Sequence, residues 1–110
     1  MAFRKLTTQE NALLTKLVLL SSVPIAADWN ERLLVREMQD GGMGSLSLFP
    51  EGKEPQSKVK FGAMVSSIEF FDIDAVKVIA SLYTDNNGDL FELDVWKTDF
   101  SPMIKLPSVY

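Results

Sequence analysis

Glu92, Asp94 and Trp96 stand at alternate positions of Leu-Phe-Glu-Leu-Asp-Val-Trp-Lys, residues 90–97. In a strand successive side chains point to opposite sides, so the two carboxylates and the indole share one face while Phe91, Leu93 and Val95 share the other. Two carboxylates held in a cleft can divide acid and base roles on a glycoside, and a cluster of them can hold magnesium or manganese. The same acids beside an aromatic ring also make a face suited to docking a basic protein surface. Further acids stand at Glu37, Asp40, Glu69, Asp72, Asp74 and Asp99. The chain contains no His and no Cys, which excludes thiolate chemistry, disulfides, the commonest zinc ligands and any Ser-His or Cys-His nucleophile.

Two motifs resemble ligand loops and fail on their own chemistry. Asp85-x-Asn87-x-Asp89 begins like a calcium loop, but Leu90 stands where such a loop needs Gly and Trp96 where it needs a bidentate Glu. Gly41-Gly42-Met43-Gly44 lacks the Lys-Ser or Lys-Thr pair of a phosphate cradle and follows Asp40, which repels phosphate. Both read as turns. No cofactor is expected.

The elements that must carry these residues are legible as alternating texture. Thr7 and Glu10 form a capping-box pattern, after which Leu13, Leu14, Leu17 and Val18 recur at helical spacing up to a stop at Pro24. Residues 32–38 alternate as a strand, a short helix from Asp28 being the alternative; the glycines after Asp40 close a hairpin into a strand at 45–49. Residues 50–57, with two prolines, form a loop. A long strand follows from Val59, kinked or bulged at Gly62, then a turn at 72–75, a strand at 76–83, the turn at 85–89 and the strand from Leu90. The expected fold is a single α+β domain over residues 1–110, an N-terminal helix packed on an antiparallel sheet of about five strands.

The 15 acidic residues outnumber the 11 basic ones, for a formal charge of -4, which disfavours nucleic acid as a partner and suits a cationic protein. The apolar segment Leu13–Ala27 is interrupted by Lys16 and Pro24, too soon to span a bilayer. Glu10 and Lys16 spoil a signal-peptide reading, so a cytoplasmic location without membrane association is expected.

Two segments, Glu37 to Leu46 and Leu90 to Pro102, resemble a family of small bacterial proteins known only as a domain of unknown function. Arg4-Lys5-Leu6-Thr7 and the turn region Phe70–Val78 extend the resemblance. One departure is Ala75, where the family favours Gly after the second Asp of the turn. The resemblance implies no activity. From the residues themselves, the expected function is non-catalytic protein binding: an immunity protein that neutralises a bacterial toxin domain through Glu37, Asp40, Glu92, Asp94, Trp96 and Asp99. The alternative is a carboxylate-dependent, metal-assisted hydrolase, which requires acids converging in a pocket. Homodimerisation through a sheet edge or the Trp96 face is a third reading.

Overall fold

The computed structural model describes residues 3–55 and 57–110. Its one helix, α1 (Thr8–Leu19), starts where the sequence places it: the Thr7 side chain accepts from the Glu10 N–H, and the Glu10 carboxylate accepts from the Thr7 N–H. Arg4 reinforces this start, its guanidinium donating to both Glu10 oxygens at 2.7 and 2.9 Å. Burial opposes the charged form of Glu10, but the Arg4 and Thr7 donors outweigh it and lower its pKa. Leu13, Leu14 and Leu17 are fully buried, each contributing about 1.5–3 kcal/mol of apolar transfer. The helix ends at Leu19 with Leu20 as its cap, short of the stop expected at Pro24. Proline disfavours helical backbone in the residue before it, and the ladder tightens and ends there: the Ser21 N–H donates to the Val18 carbonyl three residues back, Ser21 Oγ donates to the Val23 carbonyl, and the Ser22 N–H turns to Val65.

Five strands follow: β1 (Leu34–Glu37), β2 (Leu46–Phe49), β3 (Phe61–Phe71), β4 (Lys77–Asp85) and β5 (Leu90–Lys97). They form one antiparallel sheet in the order β1-β2-β5-β4-β3. Residues around Asp28 form turns, and the strand reading of 32–38 is the one observed. Helix α1 packs against β3 and β4, and the core beneath it takes Val35, Leu46, Leu48, Val65, Val78, Ala80, Leu82, Leu93 and Val95. Ser66 Oγ, donating to the Leu17 carbonyl at 2.7 Å, ties the helix end to the sheet. The segment around Arg4 seals the β1 edge by exchanging two backbone hydrogen bonds with Val35.

Gly62 marks a register slip between β3 and β4, and it must be glycine: an added Cβ would lie 2.2 Å from the Asp85 carbonyl oxygen. A second slip falls between Met64 and Ser66, which inverts the alternation expected from Val59 onward. The turn after β3 is tight with alanine at the position where the resemblance implied glycine. Ala75 adopts φ 66, its N–H donating to the Asp72 carbonyl at 2.9 Å.

Beneath the sheet lies a charge cluster. Lys97, at the end of β5, is fully buried, and its ammonium donates to Asp72 Oδ2 (2.9 Å), Asp74 Oδ2 (2.6 Å) and the Pro102 carbonyl (3.3 Å). Asp72 also accepts from the N–H groups of Ile73, Ile104 and Lys105, so it fastens the C-terminal segment to the β3–β4 turn. Burial opposes the Asp72 charge, but these donors outweigh it and hold the carboxyl well below the usual carboxylate range. Burial likewise opposes the Lys97 charge, and the two aspartates outweigh it, raising that pKa.

Candidate functional site

The sheet face opposite α1 is the structure's chemically distinctive surface, and β5 runs through its middle. Register pairs Glu92 with Tyr83 and Ser47, Asp94 with Ser81, and Trp96 with Ile79, so these side chains share one face across β2, β5 and β4. Glu69, Ser67 and Met64 extend it on β3, and Arg36 on β1. Among the described residues no helix covers this face. Trp96 is 39% exposed and lies 5.9 Å from the Phe100 ring.

Glu92 and Asp94 sit about two residue rises apart, roughly 7 Å along the strand. Glu92 is half-buried, and burial raises its pKa, with the neighbouring Asp94 charge adding to the rise. Tyr83 is raised chiefly by burial, then by Asp94 and Glu92. Asp94 is steadied by Ser45, whose hydroxyl contacts Asp94 Oδ1 at 3.3 Å while accepting from the Val95 N–H at 2.9 Å. Ser45 thereby extends the β2–β5 pairing one step beyond Leu46 with a side chain.

The six expected binding residues divide. Glu92, Asp94 and Trp96 come together. Glu37 lies on the opposite face of the sheet, where Arg4 Nε donates to it at 3.2 Å. Asp40 caps its own glycine loop, accepting from the N–H groups of Met43 and Ser45. Asp99 turns back to Ser101, whose hydroxyl and backbone N–H both donate to it and lower its pKa. Phe91 departs from the face expected for it: the register slips between Tyr83 and Thr84, and its ring lies 6.3 Å from Phe61, which also meets Tyr83 at 4.8 Å. Sequence reasoning missed Tyr83 and Ile79 as members of the face. Their signal was present in the Ile79, Ser81, Tyr83 alternation, once folded back through the Asp85–Asp89 turn onto Glu92 and Trp96.

Beside this face, between residues 50–55, with Ser57 and Val59, and the strands β2 and β5, runs a groove of about 560 Å³ walled by Phe49, Pro50 and Phe91, with Glu92 among its lining residues. Arg36 lies along it, its guanidinium 4.9 Å from the Phe49 ring centre and 5.3 Å from Phe3, and donates to Glu54 at 2.7 Å. Among the described residues no three acidic side chains gather as a metal-ligand set. Nor is any described helix long and apolar enough to cross a membrane.

Fold and face together define a small α+β protein, one capped helix on one side of a five-stranded antiparallel sheet and an acidic-aromatic surface on the other. The chain belongs to the family described as "Domain of unknown function (DUF6984)", whose model matches residues 3–107. No curated protein and no solved structure matches the chain.

Proposed function

We propose that this chain is a non-catalytic protein-binding module, an immunity protein that acts in the cytoplasm by occluding a basic bacterial toxin domain. The observation that carries the reading is the uncovered sheet face with Glu92 and Asp94 flanked by Tyr83, Ile79 and Trp96. Aromatic residues supply contact area at low entropic cost, and the acids steer a cationic partner and fix its register. The formal charge of -4 favours the same kind of partner at long range. The reading predicts a toxin gene beside this one in the native host, and its test is co-expression with that gene's toxin domain. The wild-type chain protects the cells and binds with an on-rate that falls as salt rises. The double variant Glu92→Lys, Asp94→Lys loses protection while keeping its fold. Full protection by that variant removes this face from the mechanism.

A further inference from the structure

The groove beside the acidic-aromatic face has walls and charge that match one kind of side chain. Its lining carries five carboxylates, Glu51, Glu54, Asp85, Asp89 and Glu92, against two cations, Arg36 and Lys53. Several of these charges are already engaged. Glu51 pairs with Arg32 at 3.1 Å, Glu54 pairs with Arg36, and Asp85 accepts from the N–H groups of Asn87 and Asp89. Neither Asp89 nor Glu92 has a Lys or Arg among the described residues within ion-pair distance, and of the two Asp89 is exposed whereas Glu92, which belongs to both groove and open face, is half-buried. Next to it stands the Phe91 ring.

At the other end the groove already holds a guanidinium of the chain's own, Arg36, over the Phe49 ring and against a carboxylate. Phe91 and Glu92, both lining the groove, offer it a second ring and a second acid with no cation of the chain's own paired to that acid. A planar cation over an aromatic face and beside a carboxylate gains from both, and arginine does so with a preorganised fork of donors. We propose that this groove receives an arginine side chain of the partner protein, seated over Phe91 and paired with Glu92. The source of that arginine rests on the protein-binding reading above, while the site itself does not. The volume lies within the range of formed ligand sites, and the groove is continuous with the face on which the partner would dock.

The test is an NMR titration of the labelled full chain with the blocked tripeptide Gly-Arg-Gly and, in parallel, with the same peptide carrying uncharged citrulline. Arginine produces saturable shifts centred on Phe91 and Glu92, citrulline does not, and Glu92→Gln weakens the arginine response about tenfold. Phe91→Leu, which leaves the charges in place, weakens it as well, and retained amide dispersion shows both variants folded. Equal responses to arginine and citrulline, or shifts that lie elsewhere, overturn the proposal. If the tripeptide fills the groove but the wild-type chain fails to neutralise the toxin, the site stands and the toxin reading falls. If protection depends on Glu92 and Asp94 while the groove ignores arginine, the site falls and the toxin reading stands.

Discussion

Replacing Asp72 by asparagine changes one atom and removes the arrangement that fastens the C-terminal segment. Each carboxylate oxygen receives two donors: Oδ2 takes the Lys97 ammonium and the Ile104 N–H, and Oδ1 takes the N–H groups of Ile73 and Lys105. Whichever way the amide turns, its NH2 group faces two donors, so no rotamer of asparagine satisfies the site. Lys97 also loses its fully buried counter-charge and keeps only the partly exposed Asp74. Breaking one side of a buried ion pair costs about 3–5 kcal/mol, which for a domain of this size lowers Tm by about 12–20 °C. Urea denaturation at neutral pH with calorimetric Tm measures it. The pH dependence supplies a second check. The folded pKa of Asp72 is depressed, so its contribution is present above the unfolded value near 4 and fades as pH falls below it. The gap between wild type and variant therefore narrows in acid. Adding Lys97→Met to Asp72→Asn recovers part of the loss by removing the stranded cation, yet leaves the Ile104 and Lys105 donors in conflict. A loss below about 1 kcal/mol for Asp72→Asn, comparable to an ordinary neutral hydrogen bond, would refute the reasoning.

Ala75→Gly relieves a left-handed backbone at an exposed turn and raises stability by about 0.5–1 kcal/mol, read by the same denaturation. Gly62→Ala does the opposite, because its Cβ would drive into the Asp85 carbonyl; a loss of about 1–3 kcal/mol is expected by chemical denaturation. Leu14→Ala opens a cavity between α1 and the sheet and lowers stability by about 2–5 kcal/mol. Neutralising Glu92 and Asp94 as Gln and Asn lowers the Tyr83 pKa, since both charges oppose phenolate formation; ultraviolet titration follows it, with Tyr110, which burial pushes up to about 12, ionising later.

Local patterning made most of the fold readable. The capping box at Thr7 and Glu10, the leucine stripe and the turn chemistry at 85–89 each act within a few residues, and the structure follows them. Long-range geometry is where the reading stopped. Lys97 shares the parity of Leu93 and Val95, a placement the sequence reading did not draw, and nothing local announces that Asp72 and Asp74 wait there to neutralise it. The slip at Phe91 arises from cross-strand register, which alternation within one strand does not carry. Half of the expected binding residues gathered for a related reason. Glu92, Asp94 and Trp96 ride one strand, whereas Glu37, Asp40 and Asp99 had nearer partners in Arg4, the glycine loop and Ser101.

The strand order also bears on how the protein is assembled. Strands β1 and β2 form one hairpin and β3 and β4 another, and what joins them is β5, the last strand in chain order, threaded between β2 and β4. Until Leu90–Lys97 has left the ribosome the two hairpins share no ladder, their inner edges stay open, and the core lacks Leu90, Leu93 and Val95. Because β5 also bears Glu92, Asp94 and Trp96, the surface proposed for recognition comes into being in the same event that closes the sheet. Under that proposal an unfinished chain lacks the surface it would dock with, and binding competence would be withheld until folding is complete.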